Sequence, residues 1–166
     1  MSFANRVSQV LHDEHGATVA LIERLEQLIA RHRAGMPDAR DHGVARLLED
    51  LVVALENDLE RHFSFEEDHL FAYLDATGDG KIGTHLTEDH VVMRPLATTL
   101  TALARSARAE GFDETRWSEF RRAGQQLCEH LLAHVQKEEA ALLPVIEDGM
   151  DAETEARLYS EYLEQM

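Results

Sequence analysis

The sequence predicts an all-α protein, an antiparallel up-down-up-down four-helix bundle with a short C-terminal fifth helix. Two observations lead there. Apolar residues recur three and four apart over long segments, the signature of a helix with one buried face. Alternation of β-branched residues is absent, and the prolines are only Pro37, Pro95 and Pro144. The chain of 166 residues suits one domain, 1–166, because a single core of this size needs no division.

The first helix is expected over 3–34, with Leu11, Thr18, Ile22, Leu25 and Ile29 on one face. Gly35-Met36-Pro37-Asp38 ends it, and Asp38 is the candidate cap of the next. The second, 39–75, turns Leu48, Val52, Leu55 and Leu59 inward and stops at Thr77-Gly78-Asp79-Gly80. The third, 85–110, presents Leu86, Met93, Ala97 and Leu100. Gly111-Phe112-Asp113 closes it, with Asp113 as the next cap. The fourth, 114–148, presents Trp117, Phe120, Leu127 and Leu131, and Gly149 ends it. Asp151 opens the tail helix, 152–164. A helix of about 30 residues is about 45 Å long, and four joined by short turns make a bundle over 3–148.

Composition removes several functions. Acidic residues number 32 against 16 basic, for a formal charge of −16. Such a chain lacks the cations that neutralise phosphates, so neither nucleic acid nor an anionic membrane surface is an expected partner. No apolar run is long enough to span a bilayer. The N-terminal residues show no signal-peptide core, so a cytoplasmic location is expected. The lone Cys128 excludes an internal disulfide and a multi-thiolate metal site; core packing is its expected role. The abundant residue is histidine, with ten copies.

Histidine also occupies the helix seams. The first seam runs 11, 15, 18, 22, 25, 29, and position 15 is His15. The second runs 48, 52, 55, 59, 62, 66 and ends in His62 and Glu66. The third, 86, 90, 93, 97, 100, contains His90. The fourth, 117, 120, 124, 127, 131, 134, 138, ends in His134 and Glu138. An unpaired buried polar group costs about 2–7 kcal/mol and a bare carboxylate far more. Six together would consume the roughly 5–15 kcal/mol net stability of a domain. Cations held by neutral imidazoles and ionised carboxylates offset that cost. Singly, His15 or His90 also reads as a hydrogen-bonded core histidine, and His62 with Glu66 as a surface pair one turn apart.

An internal repeat joins these residues. His15 and His90 head similar stretches 75 residues apart; His62 and His134 do so 72 apart, with Glu66 matching Glu138, Glu67 matching Glu139 and Leu70 matching Leu142. Each half is a helical hairpin carrying one His and one His-x-x-x-Glu. Two such hairpins around a pseudo-two-fold axis bring four His and two Glu to one level. That reads as two metal ions bridged by two carboxylates, a class whose ions lie about 3.5–4 Å apart.

This order of motifs, followed by Glu139 and Leu142-Leu143-Pro144, resembles the hemerythrin-like, or HHE cation-binding, domain over roughly residues 5–148. The resemblance implies a non-haem centre of two iron ions, oxo- or hydroxo-bridged. Carried over, His15, His62, His90 and His134 are terminal metal ligands, and Glu66 and Glu138 are bridges. Glu139 is the alternative to Glu138, because oxygen-carrying members space the acid five residues after the histidine. Those members also carry a fifth His, in a His-x-x-x-His on the third helix; here the residue four before His90 is Leu86 and the residue four after is Arg94. His12 and His130 are candidates to supply it, and each also reads as a hydrogen-bonding neighbour or a solvated residue. Iron fits mixed imidazole and carboxylate donors better than zinc does, and manganese fits them too.

The remaining histidines are expected away from the metal: His69 as a packing or hydrogen-bonding residue, His85 at a helix start, His32 and His42 beside a loop. Asp75–Ile82 opens like a calcium loop, but its twelfth position, where a Glu belongs, is Leu86, so it is read as a turn. The expected function is binding or sensing of oxygen or a related small molecule, peroxide or nitric oxide. The alternatives are a di-iron oxidase or peroxidase, or a protein of iron storage, delivery or sensing.

Overall fold

The protein is described by a computed structural model covering residues 2–166. Helix α1 is Arg6–Arg31, and Asn5 caps it by accepting from the backbone N–H of Val7 and Ser8. Helices α2 (His42–Val53), α3 (Leu59–Phe65) and α4 (Phe71–Thr77) form one continuous rod, joined by π turns at Ala54–Asp58 and Glu66–Leu70. Helix α5 is Gly80–Glu110, and α6 is Glu114–Lys137. A π turn at Glu138–Leu142 continues α6 into α7 (Leu143–Gly149), and α8 is Ala152–Glu164. Among the described residues there is no strand.

The tail helix agrees with the expected 152–164, and the caps Asp113 and Asp151 are as expected, accepting from Arg116 and Thr154 N–H at 2.7 Å. Two details differ. Asp41, not Asp38, caps α2, through Gly43 and Val44 N–H; Asp38 instead accepts from Arg40 N–H within the loop. Helix α5 starts at Gly80 rather than 85, because the turn needs only two residues. Gly78 supplies its left-handed step at φ 94°, a conformation that favours glycine.

Packing closes a ring: α1 lies on α2 and on α6–α7, and α5 lies on α2, α4 and α6. This is the expected four-helix bundle, whose short links force antiparallel neighbours. At its α4–α5 contact the backbones come close, since a Cβ on Gly83 would stand 3.0 Å from Phe71 Cβ. Helix α8 lies across α1 and the Glu66–Leu70 turn. No described helix is long and apolar enough to cross a membrane.

The core has two apolar clusters. One gathers Ile22, Leu48, Phe63, Met93, Leu100, Phe120 and their neighbours; the other gathers Val7, Leu11, Leu70, Leu74, Leu142, Ile146 and Leu158. On α1, α5 and the α6–α7 rod the seam histidine falls between the helix's contributions to the two, and on the α2–α4 rod His62 and Glu66 flank the change from Phe63 to Phe65. A polar layer therefore crosses the bundle, clamped by hydrocarbon above and below.

Candidate metal centre

That layer consists of the six expected seam residues, all buried: His15, His62, His90 and His134, with Glu66 and Glu138 at 0% exposure. They form two overlapping groups able to hold a cation, His15–His62–Glu66–Glu138 and Glu66–His90–His134–Glu138. The two carboxylates are common to both.

The π turns explain how the carboxylates reach inward. Positions 62, 66, 70 and 74 are all buried, as are 134, 138, 142 and 146. On an ideal helix three steps of four drift about 120° off one face. A π turn starts at Glu66 and another at Glu138, and its wider winding returns the chain to the core. The sequence showed the spacing of four but not the local unwinding.

Each imidazole is held from behind. Nδ1 of His15 lies 2.7 Å from Glu139 Oε1, and Nδ1 of His62 lies 2.6 Å from Glu14 Oε2. Nδ1 of His90 lies 2.8 Å from Glu67 Oε1, and Nδ1 of His134 lies 3.1 Å from Asp89 Oδ2. An ionised carboxylate only accepts, so each Nδ1 carries the hydrogen. In the neutral ring every Nε2 then turns a bare lone pair to the interior, as a metal-ligating histidine does. The four outer acids obey the same repeat as the inner six: 14 and 89 are 75 apart, 67 and 139 are 72 apart. Sequence reasoning had missed Glu14, Glu67 and Asp89, although that offset was the available signal.

The inward-facing atoms are in close contact yet poorly satisfied. Glu66 Oε1 lies 3.1 Å from His62 Nε2, and its Oε2 lies 3.2 Å from His90 Nε2. Glu138 Oε2 lies 2.6 Å from His15 Nε2, and its Oε1 lies 2.5 Å from His134 Nε2. Both Glu66 oxygens and Glu138 Oε1 lack a hydrogen-bond partner of proper geometry. His90 and His134 bring their Nε2 atoms to 3.1 Å of each other. Lone pairs so converged repel unless a positive charge stands among them. The donor set therefore fits bound cations.

The electrostatics have the same sign. Burial opposes charge on His15, His62 and His134, but the surrounding carboxylates outweigh it and hold all three above the usual imidazole range, His62 well above. Burial likewise opposes the Glu138 anion, yet hydrogen bonds from His134, His15 and His62 hold its carboxyl well below the usual range. A proton and a metal ion are rival occupants of each Nε2 lone pair.

The additional candidates lie outside the layer. Glu139 accepts from His15 and also pairs with His12 Nδ1 at 3.0 Å, so His12 meets the outer acid rather than the interior. His130 is exposed. Leu86, where a fifth histidine was looked for, is 2% exposed in the second apolar cluster. His69 pairs with Glu161 at 3.0 Å, and His42 and His85 are exposed. His32 is half-buried against Trp117, with Nδ1 3.0 Å from Leu28 O. Cys128 is buried, as expected.

Comparison with curated proteins finds no significant match. A family model does match: the hemerythrin HHE cation-binding domain, over residues 6–146 and again over 82–164. With that match over most of its length, and with buried His/Glu groups suited to a metal, the chain belongs to the hemerythrin family of HHE cation-binding domains.

Proposed function

We propose that the chain is a non-haem di-iron protein that binds or senses oxygen, or a related small molecule such as peroxide or nitric oxide. One observation carries the two-ion reading: Glu66 and Glu138 each direct one oxygen to the His15–His62 side and the other to the His90–His134 side. A carboxylate so placed could hold one cation on each side. Iron, when bound, supplies exchangeable coordination positions and one-electron chemistry.

The chain's residues supply the rest. The outer acids fix ring orientation, and the two apolar clusters keep water from the layer. A cavity of about 240 Å³ between α1, the α2–α4 rod, α5 and α6 is walled mainly by Leu21, Leu25, Leu100, Leu127 and Leu131, with Glu14, Asp58 and Arg61 also lining it, and reaches His62. Its lining suits an uncharged diatomic molecule. The lack of a histidine four residues to either side of His90, where Leu86 and Arg94 stand, favours a second reading as an oxidase or peroxidase.

The test is metal content followed by a spectrum. About two irons per chain and an optical change that reverses when oxygen is removed support binding. Irreversible oxidation with peroxide turnover supports the enzyme. Manganese taken up in preference to iron, or no metal at all, overturns the proposal.

A further inference from the structure

Beyond each outer carboxylate lies a different neighbour, and that of Glu14 is a phenol. Tyr162 Oη donates to Glu14 Oε1 at 2.8 Å, and Glu14 Oε2 accepts from His62 Nδ1 at 2.6 Å. An unbroken hydrogen-bonded line thus runs from α8 to an imidazole whose Nε2 faces the metal layer. The Tyr162 ring is 8% exposed. Phe65 meets it edge-on at 5.5 Å, and Tyr159 lies nearly parallel at 6.4 Å between centroids. Tyr159 is half-buried, with the Arg6 guanidinium 4.6 Å over its ring. The series Tyr159, Tyr162, Glu14, His62 therefore connects the surface with the centre.

The repeat shows that this line is a special feature. The counterpart of Glu14 is Asp89, whose outer neighbour is Lys137 at 3.0 Å, a group that cannot be oxidised at a biological potential. Tyr73, the third tyrosine, sits in another groove, beside Asp68, Gly149 and Asp151. A phenol gives up an electron readily only if its proton leaves in the same event. A carboxylate at hydrogen-bond distance is the acceptor that this requires, and only Tyr162 has one that also holds a residue of the layer.

We propose that Tyr162 is a redox-active residue that gives one electron to the metal centre after excess hydrogen peroxide, itself reduced to water, has oxidised that centre beyond the ferric level. The inference rests on reading the layer as an iron site. In the step, Tyr162 loses one electron to the centre, its O–H bond breaks, and the proton passes to Glu14 Oε1. A neutral phenoxyl radical and a protonated carboxyl remain. An electron from an external reductant such as ascorbate then restores the phenol as Glu14 returns the proton.

The test is electron paramagnetic resonance on protein loaded with ferrous iron, counted for metal, mixed with hydrogen peroxide and frozen at once. Wild type is expected to show a tyrosyl radical, and Tyr162→Phe to lose it. Tyr159→Phe is expected to keep the radical, and its loss in that variant overturns the assignment to Tyr162. Ring-fluorinated tyrosine, which keeps the hydrogen bonds, is expected to change the hyperfine pattern. A loaded wild type without a radical, or an equal radical yield in Tyr162→Phe, overturns the relay and leaves the iron reading standing. A chain that takes up no iron overturns both.

Discussion

Asp89 accepts the Nδ1–H of His134 at 3.1 Å, and the same carboxylate oxygen lies 3.0 Å from Lys137 Nζ. The bond aims His134 Nε2 at Glu138, 2.5 Å away. Removing such an outer partner typically weakens metal binding about 10–100-fold. Asp89→Ala is expected to show that loss in a chelator competition. Its metal-free stability should fall by about 1–3 kcal/mol, because the Nδ1–H of the buried His134 is left without its acceptor.

Metal should also stabilise the fold, because the unfolded chain does not assemble the layer. At a free-ion concentration 100 times the dissociation constant the gain is about 2.7 kcal/mol. For a chain of this length that raises Tm by about 5–10 °C. Thermal scans with ferrous iron and with a chelator should differ by this amount in wild type. In His62→Ala most of the difference should vanish.

Burial pushes the Cys128 thiol up to about 12, helped by the charges of Glu26 and Glu129. At pH 8 its thiolate fraction is then on the order of one in 10⁴. Iodoacetamide should label the native chain about a thousand times more slowly than the urea-unfolded chain, where the thiol has an ordinary pKa near 8.5. Mass spectrometry over time measures both rates.

Burial, with the Glu14 anion adding, pushes the Tyr162 phenol up to about 12. A raised folded-state value means that the native protein keeps this proton longer than the unfolded chain does. Its contribution is complete below about pH 10, the unfolded value, and is lost as pH rises towards 12. Urea titrations should give a constant gap between wild type and Tyr162→Phe up to about pH 10, and a shrinking gap above.

The α4–α5 contact leaves no room at Gly83, where a Cβ would meet Phe71 at 3.0 Å. Gly83→Val should destabilise by about 1–3 kcal/mol through overpacking. Gly83→Ala should cost less, since its better helix propensity returns up to about 1 kcal/mol. Urea midpoints decide between these outcomes.

Much of this architecture was legible because period and repeat are properties of the chain. The seams placed His15, His62, Glu66, His90, His134 and Glu138 at one level, and the structure brings them together. Spacing alone does not show where a neighbour's acid reaches. Glu139 looked like a candidate ligand by its distance along the helix, yet it stands behind His15. Glu14, Glu67 and Asp89 each adjoin a seam residue in the sequence, but the seam does not say which imidazole each one meets. The π turns escaped because a step of four fits an α-helix over one turn and fails only when repeated. Asp41 displaced Asp38 as cap because the loop between α1 and α2 has its own turn, which depends on tertiary packing.

The near-equality of the two halves ends at the outer acids' own neighbours. Behind His90 stands Glu67 gripped by Arg94 at 2.8 Å, and behind His134 stands Asp89 gripped by Lys137. Behind His15 and His62 the corresponding neighbours are His12 and Tyr162, with Arg61 no nearer to Glu14 than 4.0 Å. Two cations in this layer would have matching ligands but different electrical surroundings. An electron added to such a pair would be held more strongly beside His90 and His134. The halves would then be graded as electron acceptors, and a half-reduced pair would keep its valences localised rather than shared.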